Sequence, residues 1–412
     1  MGRNKKKKDA AEATVNAGLW SEDPREALRV GPDFHLASID RASTPGWEGD
    51  EDDAVAYQAA IAPLLATLQE RLFAASKEGS TKRVLIVAQG LDTAGKGGIA
   101  RHVIGLVDPQ GVQLTAFKAP TEEEKEHDFL WRIRKAVPGA GYIGYFDRSH
   151  YEDVLVPGAN GQLDDAAFDE RVEEIRAFEH ELVESGTAII KIALMISYEE
   201  QGLRLLERVD RPDKHWKYST NDMSVRGQWF DYQAIYQRML TATSFDEAPW
   251  HLIPADNKWY SRVAVTEMLL RTLADLEVPW PEGRFDVEAE RERVRATISD
   301  EALAAYDERL RAKLAKVSDR IAAVDEAAKE IQAEGEDDAP GAAGSLAKAP
   351  EGAASRKGSK PGSAKAAQGS KGAKGAKSSK GSKGSKGTKG SKSSAAEAGA
   401  AASRKSGKKA EK

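Results

Sequence analysis

The chain has 412 residues, a formal net charge of −5, 40% hydrophobic residues and no cysteine. The length allows two or three domains, or one large domain with extensions. The lack of Cys excludes a disulfide framework, a cysteine-ligated zinc or iron–sulfur site and a cysteine nucleophile, and fits a reducing, cytoplasmic setting.

The first 50 residues are polar and punctuated by Gly31-Pro32 and Thr44-Pro45-Gly46, as expected of an arm lying on a body. Residues 1–8 are basic with no apolar stretch behind them, unlike a secretory signal peptide. Nowhere does an apolar run reach the roughly 18 residues of a membrane span. Apolar, β-branched runs at 84–88, 112–117, 142–146, 188–196 and 251–254 predict strands. Helix-like stretches at 96–107, 122–136, 164–185, 198–209, 228–243 and 258–276 separate them. That alternation predicts βαβ units and a mainly parallel sheet within 51–285. Residues 210–227 are polar, basic and turn-rich, and interrupt the pattern before the last strand.

Residues 286–335 read as a charged helical segment. Within it Leu303, Tyr306, Leu310, Leu314, Val317, Ile321, Val324, Ala328 and Ile331 recur at steps of 3 or 4. The stripe fits either a terminal helix packed on its own domain or one that pairs between subunits. Residues 336–412 are Lys/Gly/Ser/Ala-rich repeats without an aromatic residue, a composition that predicts disorder. Residues 341–412 carry 18 basic and 3 acidic side chains, a net of +15, against −20 on the first 340 residues. An acidic body with a basic tail is two physical objects on one chain.

The strongest chemical signal is Gly90-Leu91-Asp92-Thr93-Ala94-Gly95-Lys96-Gly97-Gly98, after the first predicted strand and opening a helix. Gly, four residues, then Gly-Lys is the spacing of a phosphate-binding loop. Backbone N–H groups from Gly90 to Gly98 would cradle phosphate, with Lys96 and the helix N-terminus adding positive charge. The usual Ser/Thr magnesium ligand after the Lys is Gly97 here, which makes Asp92 the candidate to hold Mg²⁺. Asp147, ending a later apolar strand, is the second candidate metal ligand, and Arg148 beside it suits a phosphoryl group. A basic stretch follows at Arg204, Arg208, Arg211, Lys214, Lys217 and Arg226, in a segment, 199–227, placed where kinases keep a closing lid. The bland alternative for it is a solvated helix face. The seven histidines form no spaced cluster, so neither a zinc site nor a histidine-based triad is expected.

These residues, with Phe117-x-x-Pro120, Phe129-Leu130-Trp131-Arg132, Phe146-Asp147-Arg148-Ser149-x-Tyr151, Gln201-x-x-Arg204, Asp213-Lys214-x-Trp216-Lys217 and Pro249-Trp250-x-x-Ile253-Pro254-Ala255-Asp256-x-Lys258, make the chain resemble the family-2 polyphosphate kinases. The resemblance spans about 30–285 and leaves out the stripe from Leu303 and the tail. It implies an α/β, three-layer phosphate-loop fold like that of thymidylate kinase, with a parallel sheet and a helical lid. It also implies reversible, Mg²⁺-dependent phosphoryl transfer between inorganic polyphosphate and a nucleotide. The family has Gly where Gly97 stands and uses the loop Asp, here Asp92.

On the same grounds Lys96, Arg148, Arg204, Arg208 and Lys217 would line the polyphosphate path, and Lys118, Arg132 and Glu152 would face the nucleotide. Tyr151-Glu152-Asp153-Val154 is similar to the subgroup that accepts both AMP and ADP, although that subgroup often has Asn where this chain has Asp147. Adenine or guanine nucleotides, a homo-oligomer and non-specific nucleic-acid binding by the tail complete the expected partners. Two other classes stay open on sequence: an ATP-dependent nucleotide kinase, and a nucleic-acid-binding protein led by its tail.

Overall fold

The computed structural model describes residues 17–337, with side chains from 18 to 333. The basic tail expected to be disordered, and residues 1–16 of the arm, lie outside the described residues.

Helix α1 (Glu51–Ser76) opens on a reciprocal cap. Asp50 accepts from the Asp53 N–H at 3.0 Å, and Asp53 accepts from the Asp50 N–H at 3.2 Å. It leads into β1 (Arg83–Gln89), whose residues 84–89 are all buried. A strand covered on both faces needs a continuous apolar run rather than an alternating one, and Val84-Leu85-Ile86-Val87-Ala88 supplies it. Around β1 stand β2 (Val112–Ala116), β3 (Ile143–Asp147), β4 (Thr187–Met195) and β5 (Trp250–Pro254). The five strands form one parallel sheet in the order β2-β3-β1-β4-β5.

Because β1 lies between β3 and β4, the chain reverses its winding direction at the carboxyl end of β1. In open α/β sheets such a switch point opens a crevice that takes ligands. The connections between strands carry α2 (Lys96–His102), α3 (Trp131–Ala136), α4 (Glu152–Ala159), α5 (Asp165–Glu184), α6 (Tyr198–Asp210), α7 (Asn221–Gly227) and α8 (Trp229–Thr243), and α9 (Lys258–Asp275) follows β5. Two of the expected helices are shorter or broken. The stretch 96–107 ends its α-helix at His102 and continues as a 3₁₀ turn, Ile104–Leu106. The stretch 122–136 divides into Glu122–Lys125 and α3, and between them the Asp128 side chain accepts the Leu130 N–H at 3.0 Å in a turn just before α3. The turn-rich interruption contains a 3₁₀ segment, Pro212–Lys217, and α7.

The arm covers the open edge of β5. Leu252 N–H donates to Leu28 and Val30 N–H to Trp250, each at 2.8 Å, so residues 28–30 run antiparallel to the strand. An unpaired edge is a template for association, and this pairing removes it. Trp20 packs edge-on against Trp47 at 5.0 Å, and Trp47 against Tyr57 of α1, which fastens the arm to the body.

After α10 (Val287–Arg295) comes α11 (Asp300–Asp337). Val324 and Ile331 are buried, and the Arg71–Asp325 pair at 2.7 Å and the Gln332 bond to Ala274 at 3.0 Å fix that part of α11 to α1 and α9. Tyr306, Leu314 and Val317 earlier in the stripe are 46%, 55% and 41% exposed. Packing on its own domain therefore describes the second half of the stripe. Among the described residues no helix is long and apolar enough to cross a membrane.

Candidate active site

The loop from Gly90 to Gly95 joins β1 to α2 at the switch point. Gly90 has φ 152°, and a Cβ there would meet the Leu194 carbonyl at 2.6 Å, so only glycine lets the chain leave the sheet at this angle. Thr93 has φ 71°, rare for a β-branched residue, and Arg148 has φ 67°. Local strain of this kind costs of order 1–3 kcal/mol per residue and persists only where surroundings over-determine it. The Lys96 ammonium donates to Gly90 O at 2.6 Å and so arches back over the loop. Tyr145 of β3 donates to Lys96 O at 2.7 Å, which ties the start of α2 to the sheet.

Asp92 and Arg148, 56 residues apart, form an ion pair at 3.1 Å. Asp147 ends β3 beside them, with no protein hydrogen bond to its carboxylate among the described residues. Burial opposes the Arg148 charge, but the carboxylates of Glu152, Asp92 and Asp147 outweigh it and raise its pKa. Glu152, at the first turn of α4, titrates above the ordinary carboxyl range. Burial is the main cause, and the nearby Arg148 and Lys96 offset only part of it. With its amide turned to satisfy both neighbours, Gln89 donates to Glu152 Oε1 at 2.9 Å and accepts from Ser149 Oγ at 2.9 Å. This side chain links the phosphate-loop strand to the loop after β3.

Two cavities meet at this centre. One, of about 640 Å³, is lined by residues 92–98, Asp147, Arg208, Lys214, Lys217 and the start of α9. Ten Lys and Arg residues face it against the three acidic residues Asp92, Asp147 and Glu207, a balance that suits a polyanion. The other, of about 480 Å³, lies between Phe117, Lys118, Arg132, α4 and α8. It has balanced charge, the rings of Phe117, Tyr232 and Tyr236, and the amides of Asn160, Asn221 and Gln228. Asp92, Phe117, Lys118 and Arg148 line both.

The structure thus brings residues 92–98 of the phosphate loop, Asp147, Arg148, Lys118, Arg204, Arg208 and Lys217 to the first cavity, and Gly90, Arg132 and Glu152 to the second. Arg132 is partly committed: it donates to Lys118 O at 2.8 Å and meets Asp153 at 3.4 Å. Arg208 pairs with Asp222 of α7 at 3.4 Å. Arg204 is buried, and four of its five N–H directions already have protein acceptors. Arg226 stacks over Tyr198 at 3.5 Å and bonds Gln201, outside both cavities.

Sequence reasoning overlooked Arg101, Arg262 and, as a site residue, Lys258, all facing the first cavity. Lys258 and Arg262 are four apart at the start of the helix that follows the last strand, a place where parallel sheets bind ligands, so position and spacing carried the signal.

The described residues contain no group of three or more His, Asp or Glu set to hold a metal. The two carboxylates of Asp92 and Asp147 nevertheless fit Mg²⁺, which is commonly held by one or two carboxylates together with substrate phosphates and water.

A parallel sheet with a phosphate loop at its switch point, a basic cavity on one side and a mixed one on the other define a phosphate-loop phosphotransferase. Comparison with known proteins gives the family. The family profile described as Polyphosphate kinase 2 matches residues 50–280, and the chain belongs to that family. It is 40% identical over 256 residues to the AMP/ADP-polyphosphate phosphotransferase of Meiothermus ruber, covering 62% of this chain and 94% of that protein. With the ADP-polyphosphate phosphotransferase of Rhodopseudomonas palustris it shares 38% identity over 230 residues, 53% of this chain and 78% of the other. The crystal structure of Polyphosphate Kinase 2 from Arthrobacter aurescens superposes with a TM-score of 0.66 at 52% identity, over 67% of this chain and 98% of that one.

Proposed function

We propose that the protein transfers the terminal phosphoryl group of inorganic polyphosphate to AMP and ADP, reversibly and with Mg²⁺. The observation that carries this reading is the pair of cavities sharing Asp92 and Arg148, one strongly basic and one mixed. A polyphosphate donor matches the first. A nucleotide, with a flat base and a short charged end, matches the second. Relatives named for AMP and ADP, and the Glu152 that follows Tyr151, support both acceptors.

Phosphoryl transfer asks for in-line placement and cancellation of negative charge more than for covalent chemistry. Lys96 and the loop N–H groups hold the donor's terminal phosphates. Arg148 spans the junction and can hold a phosphoryl group through two parallel N–H bonds. Arg208 and Lys217 carry the polymer beyond the loop, and Lys118 and Arg132 hold the acceptor end. Asp92 and Asp147 would hold Mg²⁺, which when bound supplies further positive charge against the transferring group. Donor and product are both phosphoanhydrides, so bonds of the same type break and form, which favours reversibility. The segment 199–227 acts as a lid over the polymer, and the exposed part of the α11 stripe serves a second copy of the chain. Residues 341–412 bind polyanions through their net charge of +15.

The test is an assay of purified protein with Mg²⁺, polyphosphate and AMP, ADP, GMP or GDP, products separated by charge, and ATP as the competing donor. Phosphorylation of AMP by ATP alone, with polyphosphate inert, would overturn the reading.

A further inference from the structure

Arg204 and Gln201 lie one turn apart on the face of α6 turned to the phosphate loop, and both are buried. Their donors meet consecutive loop carbonyls: Gln201 Nε2 reaches Asp92 O at 3.4 Å, and Arg204 Nη1 reaches Thr93 O at 3.0 Å. The other Arg204 nitrogens are fixed as well. Nη2 donates to Ala255 O and Asp256 O, each at 2.7 Å, at the end of β5, and Nε donates to Glu200 at 2.7 Å. The guanidinium is therefore a three-way joint between α6, the loop and the last strand.

We propose that Gln201 and Arg204 are positioning residues that keep the phosphate loop in its anion-binding conformation. Thr93 has φ 71°, which an unsupported β-branched residue avoids. Holding the Asp92 and Thr93 carbonyls toward α6 fixes the peptide planes that follow them. The N–H groups of Thr93, Gly95, Lys96 and Gly97 have no protein acceptor among the described residues, so they stay available to phosphate. Because α6 begins the segment taken as the lid, the same joint couples lid position to loop geometry.

The rival role for Arg204 is direct charge contact with phosphate, since it also borders the basic cavity. The two roles respond differently to lysine. A lysine keeps the charge but has no planar fork to serve carbonyls on two sides. The proposal rests on the phosphotransferase reading for its assay, and the wild-type rate with polyphosphate tests that reading separately.

In the full chain, Arg204→Lys and Arg204→Gln are expected to lower kcat by a similar factor, at least about tenfold. KM for AMP should stay within about twofold, and the loss should be the same at low and high salt. Gln201→Leu should lower kcat in the same direction by a smaller factor. Combined with Arg204→Gln it should fall short of the product of the two, because both act on one loop. Amide exchange at Ala94, Gly98 and Ile99, whose N–H groups bond the Leu91 and Gly95 carbonyls, should speed up in each variant. Near-wild-type activity in Arg204→Lys, with a salt-dependent loss in Arg204→Gln, would overturn the proposal in favour of direct contact. Lower melting temperatures with unchanged kcat at 15 °C would overturn it in favour of simple scaffolding. Should the Arg204 variants not fold, unchanged kcat in Gln201→Leu would overturn it alone.

Discussion

The Arg148 guanidinium and the Asp92 carboxylate, 3.1 Å apart, neutralise each other at the junction of the two cavities. Each is proposed to serve a different ligand, Asp92 a cation and Arg148 a phosphoryl group. Loading both substrates then exchanges one internal ion pair for two external ones, and either partner alone is left with an unbalanced charge.

Asp92→Asn, Asp147→Asn and Lys96→Ala are each expected to lower kcat by several orders of magnitude while leaving the melting temperature within a few degrees. Asp92→Asn should also free Arg148 and tighten binding of polyphosphate measured without Mg²⁺. Steady-state assays and calorimetry check this. Near-normal turnover in any of the three would remove that residue from the machinery.

Glu152 sits at the acceptor cavity with a raised pKa caused first by burial. Glu152→Asn is expected to shift preference toward ADP, read as the ratio of kcat/KM for ADP over AMP. A second consequence concerns stability. The ordinary value is 4.5 and the folded value is higher, so the fold favours the protonated form. That stabilisation is complete below the unfolded value and is lost as pH rises through the folded one. Glu152→Gln should therefore melt higher than wild type at pH 7.5, with the gain disappearing near pH 4. A gain that grows on acidification would contradict the sign.

The central strands were legible in sequence because a covered parallel strand is a short, largely apolar run, as at Val84-Leu85-Ile86-Val87-Ala88, whereas the edge strand β2 is only partly buried and carries Gln113 and Thr115 in its run. The phosphate loop was legible because glycine is obligatory where the backbone turns under Leu194. Helix α1 was not read, although Asp50 and Asp53 form its cap: Pro63 breaks the pattern inside it, and its apolar residues face several neighbours at once. The role of Arg204 was beyond sequence, since an arginine bound to carbonyls of residues 93, 255 and 256 has the same spelling as one bound to phosphate. Charge reveals that an anion is wanted nearby; only contacts reveal which donors are left for it.

Within segment 199–227 Arg208 meets Asp222 at 3.4 Å and Arg226 donates to Tyr198 O at 2.6 Å, while Gln201 and Arg204 anchor the start of the segment to the phosphate loop and the end of β5. If it closes over the polymer, its amides should exchange more slowly at saturating polyphosphate, with α8 behind it unchanged. Equal exchange with and without polymer would mark a static surface.

The +15 charge of residues 341–412 predicts a salt-dependent effect. Counterion release strengthens such binding at low salt, and the Debye length shrinks from about 10 Å at 0.1 M as salt rises. A chain ending near Glu334 should keep its kcat. Its KM for long polyphosphate should rise, more at about 50 mM salt than at about 300 mM. An unchanged KM at low salt with loss of DNA binding would assign the segment to nucleic acid.

Behind the site, Lys191 of β4 and Glu179 of α5 form a fully buried pair at 2.6 Å. Glu179 also accepts from the Tyr151 hydroxyl at 2.8 Å and meets His150 at 3.2 Å, while Lys191 donates to Thr243 O at 2.6 Å. Burial would raise the Glu179 pKa, but Lys191 and His150 hold it below the usual range. A lone charge left in such a place costs about 3–5 kcal/mol, whereas replacing both partners with apolar groups is often far milder. Lys191→Met should therefore destabilise strongly in urea titrations. Its deficit should shrink toward pH 5, because Glu179 without its cation takes up a proton there. The double variant Lys191→Met/Glu179→Leu should recover a large part of the loss, though not all, since Tyr151 and His150 lose their acceptor. The loop from Asp147 to Glu152 passes through Tyr151, so the single variant should also lose activity with AMP more than with ADP if Glu152 drifts. A double variant as unstable as the sum of the two single ones would show that the pair contributes nothing as a pair.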